Sequence, residues 1–256
     1  MRNGQKQGIR RILLIALGIG LLLFALFVVD ILPLLENQTL VSSDWAGYTV
    51  SASNLLPQPT VDAVSGSWTV PKVALSDFDS FSSVWIGIGG ALDTTLIQVG
   101  SEQDSLSGQA VYNIWYEALP GGAVNIQNIT ISPGDKLSAS ITLVNGTTRT
   151  WQIGIADDTT GACFTQNCHE QNLTYDSSRL TADWIVERPT VNNQVAPLAN
   201  FGTVTFTNLS TQIGGKTGTP NTFSENRIVM QDSQNNQLAT ASNLEDQGTS
   251  FTVTYM

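Results

Sequence analysis

The sequence predicts an all-β chain, a single β-sandwich of two antiparallel sheets behind an N-terminal transmembrane signal anchor. Three observations carry that expectation. Charged residues are only 12% of the 256, and 22 glycines accompany abundant Ser, Thr, Asn and Gln, where an ordinary globular domain carries about 25% charge. Short stretches of period-two alternation recur between turn signals, and none of the body sustains a 3.6-residue period with helix caps. Near the N-terminus stands a long uninterrupted apolar run.

That run, residues 12–29 (ILLIALGIGLLLFALFVV), follows Arg2, Lys6, Arg10 and Arg11. A basic flank before an apolar segment directs insertion with the N-terminus in the cytoplasm. The run is close to the ~20 residues that span a bilayer. It is longer than the apolar core of a cleaved signal, and no small-residue cleavage site follows it. Residues 1–35 are therefore expected to be a cytoplasmic basic tip and membrane anchor, with a cleaved signal peptide as the alternative. Residues 36–43 read as a stalk and 44–256 as one folded domain outside the cytoplasm, tethered at the cell surface or secreted if the segment is cut.

Within the body, SASITLV (138–144) puts Ile141 and Leu143 on one face, and TRTWQIGIA (148–156) does the same with Trp151, Ile153 and Ile155. Between them lies Asn145-Gly146, a strong hairpin signal. NRIVMQDSQNNQLATAS (226–242) reads as a second hairpin turning at Asn235-Asn236, and GTVTFTN (202–208) as a strand with Val204 and Phe206 inward. Pro133-Gly134-Asp135 marks a turn ahead of the 138–144 strand.

Charge limits the partners. The formal net charge is −10, and only seven of the 11 Lys and Arg lie beyond residue 30, against 20 of the 21 acids. No basic patch exists for phosphates, so nucleic acid is not an expected partner. A fold with few ionised carboxylates also loses few ion pairs in acid, which admits an acidic habitat. Asn-x-Ser/Thr sequons at Asn37, Asn128, Asn145, Asn172 and Asn208 add nothing firm in so Asn- and Thr-rich a chain. Cys163 and Cys168 suggest a small disulfide ring in an exported chain. A metal site using His169 and Glu170 is the alternative, short of the ligands zinc requires.

Exclusion narrows the chemistry. The single histidine, His169, lies beside that cysteine pair, poorly placed for a Ser-His-Asp or Cys-His device. Asp93-Thr94-Thr95 and Asp158-Thr159-Thr160-Gly161 lack the spacing of an aspartic dyad, and zinc motifs and phosphate-binding glycine loops are absent. Glu102-Gln103-Asp104 begins the acid pattern of concanavalin-like sandwich glucanases, but Ser107 stands where its last acid belongs. Of the six tryptophans, Trp68 and Trp151 read as core. What remains is carboxylates and amides. TTLIQVG (94–100) carries Gln98 among β-formers, and ADWIVE (182–187) ends a similar strand on Glu187. Polar groups in such strands are costly to bury without partners.

Eight motifs occur in order: DWAGY (44–48), GSWTVP (66–71), VWIGIGG (84–90), TLIQVGSEQD (95–104), IWYEALP (114–120), SPGDKLSASI (132–141), ADWIVERP (182–189) and FGTVTF (201–206). Together they resemble the glutamic peptidases, or eqolisins, over essentially the whole body. The resemblance implies a β-sandwich endopeptidase active in acid, acting on polypeptides through a Gln–Glu dyad, without cofactor or metal. It places the glutamine at Gln98 and the glutamate at Glu187, with Trp45, Trp85 and Glu117 beside the substrate cleft. One position departs: the family often has an acid at the fifth residue of its W-V/I-G-I-D-G motif, and here that residue is Gly89. The competing expectation is a catalytically silent carbohydrate- or peptide-binding sandwich. A monomer is expected in either case.

Overall fold

The computed structural model describes residues 38–52, 59–164, 171–191 and 194–256. Strands β1 to β7 are Thr39–Ser42, Trp45–Ser51, Val61–Thr69, Ser83–Gly89, Leu96–Leu106, Gln109–Ala118 and Val124–Asn125. Strands β8 to β13 are Lys136–Asn145, Thr150–Asp157, Ala162–Cys163, Gln171–Thr174, Ala182–Glu187 and Thr190–Val191. Strands β14 to β19 are Gln194–Val195, Thr203–Ile213, Lys216–Gly218, Ser224–Gln231, Gln237–Ala241 and Phe251–Tyr255. Two short 3₁₀ turns are the only helical segments among the described residues, and no helix there is long and apolar enough to cross a membrane. The expected anchor at 12–29 lies outside the described residues, as do Cys168 and His169. Among those described, no cysteine is free.

The first layer runs β1–β17–β2–β12–β4–β5–β6–β7, and the second runs β18–β19–β15–β3–β8–β9, with β10 and β11 beyond β9. The expectation of two separate antiparallel sheets needs two corrections. Strand β17 pairs with β2 through Ile228 and with β18 from Val229, so one hydrogen-bonded ladder folds over into both layers. A bulge between Met230 and Gln231 accompanies that corner; an extra residue bends and twists a strand. The other correction is β1, which pairs with β17 in parallel. Its range also overlaps the expected stalk, so residues 39–42 of that stretch are strand.

Alternation explains the core. Tyr48, Ile86, Ile88, Ile97, Val99, Trp184 and Val186 from the first layer meet Trp68, Ile141, Ile153, Phe206 and Phe251 from the second. Burying each such side chain stabilises by about 1.5–3 kcal/mol. Buried indoles also need an acceptor: Trp184 Nε1 donates to Ser65 O at 2.9 Å and Trp68 Nε1 to Ser101 Oγ at 3.0 Å, tying the layers together. Trp68 and Trp151 are core residues, as expected.

Candidate active site

Directly paired residues in an antiparallel ladder share a face, so the registers of the first layer assign its outer face. One row across it is Trp45, Glu187, Ser83 and Glu102; the next is Gly47, Ile185, Trp85, Gly100 and Trp115. A third is Thr49, Asp183, Gly87, Gln98 and Glu117. All five residues singled out from the motifs therefore lie on the face turned away from the main core. Trp85, Leu96, Trp115, Ile185 and Ile228 form a second, smaller apolar cluster there, with Trp45 and Leu119 packed against it.

Glycine makes the arrangement sterically available. A Cβ on Gly100 would lie 2.6 Å from Trp85 Cβ, and one on Gly87 would lie 2.8 Å from Trp85 Cζ3. The Trp85 indole occupies the space these two residues leave open. From there Nε1 donates to Glu187 Oε2 at 2.7 Å, and the ring meets Trp45 edge-on with centroids 5.0 Å apart. Burial pushes the Glu187 carboxyl up to about 7. The Trp85 bond opposes that rise, the Asp44 charge adds to it, the Trp45 side chain opposes it, and the Glu117 charge adds to it.

Gln98 is 4% exposed; its Nε2 donates to Glu117 Oε2 at 2.8 Å, while its Oε1 is buried without a partner. The bond to a carboxylate fixes which end of the amide is the donor, because an ionised carboxylate only accepts. Burial raises the Glu117 carboxyl above its ordinary range, and the Gln98 bond works against this. The structure thus joins Trp45, Trp85 and Glu187 in one contact chain and Gln98 with Glu117 in another, with the Glu117 charge felt at Glu187.

Of two further carboxyls on this face, Asp183 was not singled out from the sequence and Asp104 was noted only in the glucanase-like acid pattern. Asp183 is fully buried; burial pushes it up to about 8, with the Thr49 and Thr181 hydroxyls pulling down and the Asp93 charge pushing up. The Thr181 hydroxyl donates to it at 3.1 Å. Thr49 acts by proximity, since its hydroxyl oxygen falls short of hydrogen-bond geometry and has no bonded partner. Asp104 is pushed up to about 7 by burial and the Glu102 charge, against the Ser82 N–H that donates to it at 3.1 Å. Period two would have found Asp183, which alternates with Ile185 and Glu187 along one strand.

Gly89, the departure from the motif, has φ of +92° and would bring a Cβ to 2.2 Å from Thr95 O. The backbone here leaves no room for an acid at that position. Among the described residues no cluster of three or more His, Cys, Asp or Glu could hold a metal. A concavity of about 530 Å³ between β8, β9 and Phe164 lies on the second layer and holds none of the residues above. A smaller one, about 320 Å³, adjoins Trp45.

Comparison with known proteins places this geometry. The peptidase A4 family matches residues 43–255. Aspergillopepsin-2 of Aspergillus niger is 28% identical over 235 residues, covering 84% of this chain and 78% of that protein. Scytalidopepsin B of Scytalidium lignicola is 30% identical over 112 residues, 43% of this chain and 39% of that protein. Among solved structures, scytalido-glutamic peptidase with a peptide-based transition state analog superposes with a TM-score of 0.68 at 22% identity, covering 84% of this chain and 99% of that one. Aspergilloglutamic peptidase from Aspergillus niger gives 0.56 at 30% identity, covering 69% and 99%.

Proposed function

This chain belongs to the peptidase A4 family and is a glutamic endopeptidase, and we propose that Glu187 and Gln98 together activate a water for peptide hydrolysis. The observation that carries the mechanism is Gln98 itself: a buried amide with one N–H engaged by Glu117 and an oxygen without any partner. Orphaned buried acceptors call for a water or a ligand. A water held by Gln98 Oε1 and the Glu187 carboxylate would stand over the sheet face where an extended peptide can lie.

Ionised Glu187 takes a proton from that water as its oxygen attacks the scissile carbonyl carbon, a general-base step that contributes about 10²–10⁴-fold. The second N–H of Gln98 donates to the carbonyl oxygen as it becomes negative. Losing such a donor costs about 10²–10³ in kcat. Glu187, now protonated, gives its proton to the leaving nitrogen; the C–N bond breaks and the carboxylate is restored. Trp85 and Trp45 hold Glu187 in place, and Glu117 fixes the Gln98 amide.

Acid operation requires Glu187 to ionise below neutrality. Burial sets it at about 7 in the free protein. A water donating to the carboxylate adds a bond that only the charged form makes, which lowers the value further. The same reading includes residues 12–29 as a tether that presents the domain outside the cytoplasm, and a monomer. It also pairs Cys163, which is disulfide-bonded, with Cys168, the chain's other cysteine. Cleavage of a denatured protein at pH 3 to 7 by the full chain tests the mechanism. Glu187→Gln abolishes it and Gln98→Ala cuts kcat by about 10²-fold or more; wild-type rates in either variant exclude the dyad.

A further inference from the structure

The 320 Å³ concavity beside Trp45 is lined by Leu40 and Val41 of β1, Trp45 and Thr49 of β2, Ile228 of β17, and Ala91. Its floor belongs to the outer face of the first layer, because Trp45, Thr49 and Ile228 share that face and Gly47, paired with Ile228, adds no side chain between them. It is continuous with the candidate active site through one residue: Trp45 lines it and packs against Trp85, whose indole donates to Glu187. Gly90 keeps it open, since a Cβ there would come within 3.0 Å of Trp45 Cη2 and 3.2 Å of Leu96 Cδ2. One feature indicates an occupant: Val41 is 63% exposed on an apolar wall that adjoins the site.

We propose that this concavity is a side-chain subsite for the polypeptide substrate, taking a large aromatic side chain such as that of tyrosine. The inference rests on the peptidase reading and adds a specificity to it. Leu40, Val41, Ala91 and Ile228 receive the ring, and Trp45 meets its edge. An extended peptide seated this way passes from the subsite across Trp45 towards Glu187, so one residue near the scissile bond is read while the backbone is delivered to the dyad. A small side chain leaves the apolar walls of such a pocket uncovered, and the lost burial is how it discriminates.

The test is positional scanning of one peptide with Ala or Tyr at each position in turn, using the full chain in detergent. Parent protein is compared with Ala91→Trp and Val41→Trp, which fill the concavity from opposite walls. Binding of the same peptides to the Glu187→Gln protein is measured by calorimetry. At one position on one side of the scissile bond, Tyr should exceed Ala at least tenfold in kcat/KM, and both filling variants should bring that ratio close to one. Cleavage with no Tyr preference, or a preference that survives both variants, overturns the subsite and leaves the peptidase reading standing. Absent cleavage with Tyr-selective binding that the fillers remove upholds the subsite and overturns the hydrolytic mechanism. With neither cleavage nor binding, both fall.

Discussion

Glu187, the base of the proposed mechanism, sits where burial works against its ionisation, and the Trp85 indole N–H is the strongest local group resisting that. Removing the donor has a definite sign. In Trp85→Phe the carboxylate loses a bond that the neutral acid does not need, so Glu187 holds its proton to higher pH. A hydrogen bond to a charged group contributes about 1.5–3 kcal/mol and one pH unit corresponds to about 1.4 kcal/mol. The ascending limb of kcat/KM should therefore move upward by about one pH unit or more, with the rate at pH 5 falling about tenfold. Repacking alone would lower the rate equally at every pH, so a parallel drop without a moved limb counts against the assignment. Glu117 acts in the opposite sense on the same carboxyl, since its charge raises Glu187.

Strands supply the spacing. Gln98 and Glu187 stood out in the sequence as polar groups among β-formers, and the roles proposed for them came only with the family resemblance. The hairpins at Asn145-Gly146 and Asn235-Asn236 were legible because turn chemistry is local, and β8–β9 and β17–β18 form there. What alternation could not give is which strands become neighbours. Strand β12 sits between β2 and β4, more than ninety positions away in the chain, and nothing in ADWIVE specifies that register. The corner at β17 and the parallel pairing of β1 were hidden likewise, whereas Asp183, in alternation with Ile185 and Glu187, was within reach of period two. Gly89 shows how a motif departure can reflect backbone geometry. With φ of +92° and Thr95 O in the place of a Cβ, Gly89→Asp should destabilise the domain by about 1–3 kcal/mol or more, read as a lowered melting temperature. A neutral or stabilising effect would mean that this turn can adopt the backbone of its acid-bearing relatives.

The whole domain has an acid-favouring proton balance. Asp104, Asp183 and Glu187 stand at about 7, 8 and 7 when folded, against about 3.9–4.3 in an unfolded chain. Between those values the folded state holds more protons, so the stability they contribute is complete below about pH 4 and is lost as pH rises through 7 to 8. Asp93 works the other way: burial raises it, but hydrogen bonds from Ser178 and Thr95 lower it on balance, and it is only partly buried in the connection between β4 and β5. The melting temperature should therefore fall steadily between pH 4 and pH 8; a rise over that range would contradict the account. Such a domain suits an acidic environment. The most direct test of the central claim is kcat/KM on a denatured protein from pH 3 to 8 for the parent and for Glu187→Gln, each verified as folded. The account predicts a parent profile rising with the ionisation of one group at or below about pH 7 and no measurable turnover in the variant. Comparable turnover in Glu187→Gln, with the same pH profile, would show that another group activates the water.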